Sequence, residues 1–255
     1  MLLAIDSGNT NVVFAVYDGE TVKGVWRCHN NPKRTADEYA VWLTQLMSLS
    51  DIAPSDIDGS IIATVVPEAR FNLVTVCRKY FNSDPMMIGD PALELGVKVR
   101  IDRPEQVGAD RLVNTLAAHE RFGHALIIID FGTATTFDAI SSKGEYLGGA
   151  ISPGIMIASE ALFMKASKLP RVEIFQSPQK VIGKDTASSI QSGIIYGYAG
   201  LVDGMVKRMK AEMGTNPGVI ATGGLAELMY EVTETIEAVE RNLTLEGLRI
   251  VSNCF

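Results

Sequence analysis

Residues Ala125 to Ile140 read ALIIIDFGTATTFDAI. Ala125 to Ile129 form an apolar run too short for a helix and typical of a buried strand, which delivers Asp130 to its open end. Gly132 supplies the backbone freedom of a tight turn, and Thr133, Thr135 and Thr136 bring hydroxyls beside amides that have lost their strand partners. The chain then returns through Phe137 as a second strand. The stretch is therefore a hairpin with a carboxylate and a polar bend at its tip, able to face an anion.

The N-terminus repeats the device. Leu2 to Val16 read LLAIDSGNTNVVFAV, which lays Ile5-Asp6-Ser7-Gly8 over Ile129-Asp130-Phe131-Gly132, 124 positions apart (130 − 6). With one residue inserted, Gly19-Glu20 lies over Gly144-Glu145. A single strand-Asp-X-Gly hairpin has the composition of many surface turns; two copies at this spacing point to function. The spacing also divides 255 residues into two modest domains, with the boundary expected near residue 115: 1–115 and 116–255, with packing of the last helix back on the first domain as an alternative for that helix.

Hydrophobic residues at 47% and charged residues at 21% describe a globular chain rather than a disordered or fibrous one. A net charge of −7, with no run of lysine or arginine, disfavours nucleic acid as the main partner. Cys28, Cys77 and Cys254 are scattered and form no CxxC pair, so neither a disulfide framework nor a zinc site is expected and a reducing cytoplasm fits. Asp6 interrupts the apolar start that would otherwise suggest a signal peptide, and no segment approaches the roughly 20 apolar residues of a membrane span.

Between the two hairpins α and β patterns alternate. Val22 to Arg27 extends the first sheet, Thr35-Ala36-Asp37-Glu38 is a capping box opening a helix through Leu49, and Ser60 to Val65 is a buried strand stopped by Pro67. A helix to about Tyr80 and a short strand at Met86 to Ile88 follow, and Val97 to Ile101 closes the first half. The loop Asp102 to Val107 leads into Gly108-Ala109-Asp110-Arg111, where a helix starts and runs to about Gly123.

Past the second hairpin, Tyr146 to Ile151 reads as a strand, Gly148-Gly149 and Pro153-Gly154 as a glycine-rich turn, Ile155 to Met164 as a helix and Lys165 to Asp185 as a surface loop. Thr186 to Met213 is the longest helical pattern, and Gly193, Gly197 and Gly200 within it would let another helix approach closely. Those glycines cost roughly 1 kcal/mol each relative to alanine, which such packing could offset. Last, strand Gly218 to Thr222 meets Gly223-Gly224 and a helix from Leu225, a third glycine-rich junction, where a flat base or ribose could approach the backbone.

An aspartate facing a phosphate is repelled by about 4 kcal/mol for unit charges 4 Å apart at an effective dielectric near 20, so a cation must stand between them. Two acidic tips with amide and hydroxyl donors thus suit nucleotide phosphates with a metal, Mg²⁺ being the natural choice. Other devices are missing: Gly183-Lys184-Asp185-Thr186 is an incomplete phosphate loop, there is no GxGxxG, and His29, His119 and His124 lie outside any GxSxG or HExxH and are expected at the surface. Asp110, at a helix start, either caps backbone amides or receives the proton of an attacking alcohol; Arg111 beside it offers bidentate recognition of a carboxylate or a surface ion pair.

Taken in order, Asp6-Ser7-Gly8-Asn9-Thr10-Asn11, Gly108 to Arg111, Ile129 to Thr136, Gly148-Gly149 to Pro153-Gly154 and Thr222-Gly223-Gly224 give the chain its resemblance. Over nearly its whole length it resembles the type III pantothenate kinases, of the acetate and sugar kinase, heat-shock ATPase and actin superfamily. The resemblance implies an α/β fold of two ribonuclease-H-like (actin-like ATPase) domains with mixed sheets flanked by helices, in each subunit of a homodimer. It implies ATP-dependent phosphorylation of the primary hydroxyl of pantothenate, the first step of coenzyme A biosynthesis. On it Asp110 is the base, and Gly108, Ala109, Asp110 and Arg111 line the pantothenate pocket, reached by Thr186 from the neighbouring subunit. Asp6 holds Mg²⁺ through water, Asp130 binds a monovalent cation (K⁺ or NH₄⁺), and Ser7, Gly8, Asn9, Thr10, Asn11, Val12, Val13, Thr133, Gly223 and Gly224 handle ATP. Two positions depart from the common pattern: Ile101 stands before Pro104 where many members have tyrosine, and Ser7 where valine is commoner. A nucleotide-binding transcription regulator and a sugar kinase on the same fold are the competing readings.

Overall fold

The computed structural model describes residues 1–90 and 93–254. The chain divides into two compact units: Met1–Val97 with Arg103–Ala117 and Leu243–Phe255, and Lys98–Asp102 with Ala118–Asn242.

The first unit is built on a five-stranded sheet in which β1 (Leu2–Ser7), β2 (Asn11–Asp18), β3 (Thr21–His29), β4 (Gly59–Thr64) and β5 (Met86–Met87) lie in the order β3-β2-β1-β4-β5. Tight turns make β1, β2 and β3 antiparallel neighbours. The parallel strands β4 and β5 return instead through α1 (Ala36–Ser48) and α2 (Pro67–Tyr80), as a parallel connection requires. Leu3, Ala4 and Ile5 are all sealed from solvent because both faces of β1 are covered. On one face Leu3, Ile5, Phe14 and Ile62 pack with Leu43 of α1 and Leu73 of α2. On the other Ala4, Ala15, Tyr17 and Ile61 pack with Val113 of α3 (Ala109–Phe122) and Leu245, Leu248 and Val251 of α7 (Leu243–Ser252).

The second unit repeats the strand plan, with two α-helices instead of one between its third and fourth strands. Strands β6 (Leu126–Phe131), β7 (Ala134–Ile140), β8 (Tyr146–Pro153), β9 (Gly218–Gly223) and β10 (Ala238–Val239) lie in the order β8-β7-β6-β9-β10, with β7 antiparallel and β9 parallel to β6. The helices α4 (Ile155–Lys165), α5 (Thr186–Met213) and α6 (Ala226–Tyr230) follow β8 and β9. Ile195, Tyr198, Val202 and Val206 of α5 cover Ile127, Ile129 and Val219 of the sheet.

Several local expectations hold. The Thr35 capping box forms, with Glu38 N donating to Thr35 Oγ1 at 3.3 Å and Thr35 N to Glu38 Oε2 at 2.7 Å. Helix α5 spans the expected Thr186 to Met213.

Others are corrected. Val97 to Ile101 does not simply close the first half: Val99 makes an isolated parallel bridge with Tyr146, and Lys98–Asp102 cluster with the second unit. Gly148-Gly149 is not a turn but lies inside β8, where Gly148 at φ +115° meets a register shift opposite Ala139/Ile140. Lys165 to Asp185 is irregular but not merely superficial. Ile174 is 1% exposed within the second core, and Tyr196 Oη anchors the segment at Pro178 O (2.6 Å) and Gln191 Nε2 at Glu173 O (2.9 Å). His119 is half-buried, its ring filling the space where Gly144 has no side chain. Among the described residues no helix is long and apolar enough to cross a membrane.

Candidate functional site

At the first hairpin, Asp6 pairs with Val13 and Ser7 with Val12, so the strand ladder runs out at Gly8. Gly8 N donates to Asn11 O at 3.0 Å and closes a bend whose Asn9 and Thr10 are exposed, with Asp6 half-buried beneath them. The bend is held from the side by Asn30, the residue after β3. Its Nδ2 donates to Gly8 O at 2.6 Å and to Ser7 Oγ at 3.3 Å, and its backbone N donates to Thr10 O at 2.8 Å. Asn30 is 4% exposed, and its Oδ1 is buried with no hydrogen-bond partner among the described residues.

This geometry separates the residues expected around the nucleotide. Asn9 and Thr10 present themselves at the tip, and Asn11 is half-buried at the start of β2. Ser7, Val12 and Val13 do not: Ser7 is sealed with its hydroxyl against Asn30, and the two valines are core residues in an inner strand. The difference has a plain cause, since apolar side chains in a strand covered on both faces have no solvent side to offer and only the backbone there could meet a ligand.

At the second hairpin Asp130 pairs with Thr136 and Phe131 with Thr135, and Gly132 N donates to Ala134 O at 3.0 Å. Again the residue after the third strand secures the tip: Gly154 N donates to Thr133 O at 3.1 Å. A Cβ at Gly154 would stand 2.1 Å from Thr133 O, so only glycine fits. Gly223, at φ +92°, lies against the acidic residue itself; a Cβ there would stand 2.5 Å from Asp130 Oδ1 and 2.7 Å from the Phe131 backbone. Together with Gly132, whose Cβ would be 3.6 Å away, it leaves the Asp130 carboxylate lined by backbone on these sides. Gly224 is exposed, with open space where a side chain would be.

The third carboxylate stands at the start of α3. Asp110 bends back so that Arg111 N donates to its Oδ1 at 2.9 Å. The bend also places Oδ1 only 2.5 Å from where a Cβ of residue 108 would be, which is why Gly108 precedes it. Gly108, Ala109, Asp110 and Arg111 are all half-buried. Thr186 is exposed in the first turn of α5, after Asp185, whose carboxylate caps Ser188 N at 2.9 Å. Those backbone and side-chain donors of Ser188 hold the Asp185 carboxyl below the usual range. Thr186 shares an open groove of about 790 Å³ with Leu162, Lys184, Ser189 and Gly193.

No group of three or more His, Cys, Asp or Glu side chains that could hold a metal occurs among the described residues.

The residue missed by sequence reasoning is Asn30. The same offset of 124 that relates Asp6 to Asp130 relates Asn30 to Gly154 (154 − 30), a signal that the Pro153-Gly154 motif could have carried back to it.

Residues 2–208 match the family pattern described as type III pantothenate kinase. Among curated proteins, the type III pantothenate kinases of Paramagnetospirillum magneticum and Desulfatibacillum aliphaticivorans are 56% and 57% identical. The first aligns over 97% of this chain and 95% of its own length, the second over 98% and 97%. Among solved structures, the inorganic polyphosphate/ATP-glucomannokinase of an Arthrobacter strain superposes with a TM-score of 0.52 over 100% of this chain and 99% of its own, at 12% identity. A Campylobacter jejuni protein assigned to the Baf family of transcriptional activators reaches 0.59 over 98% and 97%, at 14% identity. At these identities the structural likeness speaks for the fold alone, the two-unit α/β arrangement of the actin-like sugar kinases and ATPases.

Proposed function

The chain belongs to the type III pantothenate kinase family and phosphorylates pantothenate at the expense of ATP, as the first step of coenzyme A biosynthesis, and we propose that Asp110 is the base of that transfer. The regulator on the same fold is not favoured, because the relatives that share more than half of their residues with this chain are kinases.

The observation that carries the assignment of the base is the turn at Asp110. One carboxylate oxygen is spent on Arg111 N, and Gly108 gives the side chain room to fold back, so its direction is fixed before any substrate arrives. The second oxygen receives the proton of the pantothenate primary hydroxyl as that oxygen attacks the γ-phosphate. The transition state of phosphoryl transfer is loose, so a base that orients the alcohol and takes its proton late is sufficient. Arg111 is assigned to the pantothenate carboxylate, with Gly108 and Ala109 giving the substrate close approach to the backbone.

Asn9 and Thr10 at the first tip and Thr133 at the second are assigned to the ATP phosphates, and Gly223-Gly224 to the base and ribose. Asp6, half-buried at a strand end below the exposed Asn9 and Thr10, fits a water-mediated contact to Mg²⁺, which when bound would neutralise phosphate charge. The backbone-lined carboxylate of Asp130 fits a larger monovalent cation that takes carbonyl oxygens beside it. Thr186 is assigned to the pantothenate pocket of the neighbouring subunit in a homodimer. Ile151, Met156, Phe163, Met164 and Phe175 are exposed on the second unit and are the apolar side chains such an assembly would cover. The three cysteines are free thiols, which suits the cytoplasm.

Pantothenate-dependent ADP formation by the pure protein with ATP, Mg²⁺ and K⁺ tests the activity. Asp110→Asn is expected to lower kcat by about 10²–10⁴-fold while ATP binding persists; full turnover in this variant would remove Asp110 from the mechanism. Replacing K⁺ by Na⁺ is expected to depress turnover sharply, and equal rates would release Asp130 from its cation.

A further inference from the structure

The hairpin Ser7 to Asn11 is secured by one side chain whose chemistry does more than fill space. Asn30 follows β3, lies almost wholly out of solvent, and spends both hydrogens of its amide on the hairpin: one on Gly8 O at 2.6 Å, one on Ser7 Oγ at 3.3 Å. A carbonyl oxygen can only accept, so Nδ2 and not Oδ1 must face Gly8, and the orientation of the side-chain amide is settled by its partner. The cost is visible on the other side, where Oδ1 is buried with no hydrogen-bond partner among the described residues. A buried polar atom left in that state is expensive, so the contact made by Nδ2 is the reason to keep asparagine there.

The consequence runs through one peptide plane. All peptide bonds described are trans, and in a trans peptide the C=O of residue i and the N–H of residue i+1 point in opposite directions. Drawing Gly8 O toward Asn30 therefore turns the N–H of Asn9 away from it, outward at the exposed tip. We propose that Asn30 is a positioning residue for phosphoryl transfer: by holding Gly8 O, it aims the Asn9 amide at the ATP phosphates. The inference rests on the assignment of this hairpin to those phosphates.

The second unit carries the same device in a reduced form. Gly154, at the position equivalent to Asn30, ties its own tip through the backbone alone, and the space a side chain would need is filled by Thr133 O. The backbone tie is thus common to both tips, while the side-chain hold on the preceding carbonyl belongs to the first. A residue placed merely for packing would not need this polarity: Oδ1 and Nδ2 have nearly the same shape, and only the donor serves the hairpin.

Steady-state kinetics of the full chain with ATP, pantothenate, Mg²⁺ and K⁺ test the proposal with Asn30→Ala, Asn30→Asp and Asn9→Pro. Asn30→Ala is expected to raise KM for ATP about tenfold or more, with KM for pantothenate changed less than about twofold, since the lost hydrogen bond acts on the phosphate side alone. Should Asn30→Ala not fold, Asn30→Asp, of the same shape, reads the same quantity. Its buried carboxyl regains a donor on protonation, so its KM for ATP falls relative to that of the wild type as pH falls. Equal increases in both KM values, or an unchanged KM for ATP in the folded Asn30 variants, overturn the positioning role. Asn9→Pro removes the aimed N–H and separates the two levels of the argument. If it raises KM for ATP while the Asn30 variants do not, the hairpin still binds phosphate and only the role of Asn30 fails. If Asn9→Pro leaves KM for ATP unchanged, the assignment of the hairpin fails and takes the positioning role with it.

Discussion

At the scale of single residues the glycines of this protein fall into kinds that the sequence does not distinguish. Gly108 is required by a side chain two positions later: an alanine methyl there would stand 2.5 Å from Asp110 Oδ1. Gly108→Ala is therefore expected to swing Asp110 out of its bond to Arg111 N and lower kcat at least about tenfold, with little change in melting temperature, because the site is half-buried and local. A kcat equal to wild type would show that the carboxylate direction does not matter. Gly154 and Gly223 are required by backbone, since their hydrogens face Thr133 O and the Phe131 main chain. Gly193, Gly197 and Gly200 face open space and are required by nothing among the described residues. Which of these applies depends on neighbours distant in sequence, such as Gly154 beside Thr133, and that is the part a linear reading cannot supply.

At the scale of elements, strands were legible where the pattern was strong and local. The Asp6 and Asp130 hairpins, the capping box at Thr35 and the ends of α5 could be read directly, because each is specified by residues a few positions apart. Gly148-Gly149 misled because glycine pairs suit turns and bulges equally, and only the register shift against β7 decides for the bulge. Lys165 to Asp185 misled because a single buried Ile174 leaves no periodic trace. Helix α7 shows how an element's fit sets its tolerance to change. Thr244 Oγ1 donates to Asn114 Oδ1 at 2.8 Å, Tyr17 Oη to Glu246 Oε1 at 3.1 Å, and Gly247 presses on Val113, where a Cβ would stand 2.4 Å from Cγ1 and 2.5 Å from the carbonyl oxygen. Gly247→Ala gains roughly 1 kcal/mol of helix propensity but incurs about 1–3 kcal/mol of overpacking against a backbone that cannot yield. A net fall in thermal midpoint is expected, and a rise would show that α7 is free to shift.

At the scale of the whole molecule, the proposed homodimer gives the open glycines of α5 a distinguishing test. In a lone chain Gly197→Ala meets nothing and should stabilise by roughly 1 kcal/mol through helix propensity alone. If a partner helix lies against that face, the added methyl must instead weaken association, seen as a shift toward monomer in sedimentation at micromolar concentration and a lower melting point. Stabilisation together with a monomeric mass would leave Thr186 without a neighbouring subunit to serve. The duplication of the sheet was legible in the sequence as two copies of one hairpin; the crossing of Lys98–Asp102 to the second unit was not, whereas Leu243–Phe255 cluster with the first, the unit named as the alternative home of the last helix, to which the chain thus returns. That return bears on the order in which the protein is made. The face of the first sheet formed by Ala4, Ala15 and Ile61 lacks Leu245, Leu248 and Val251 until residues 243–252 have emerged from the ribosome. The half that is translated earliest is thus the last to be finished, and during synthesis its uncovered face is the surface on which a chaperone would act.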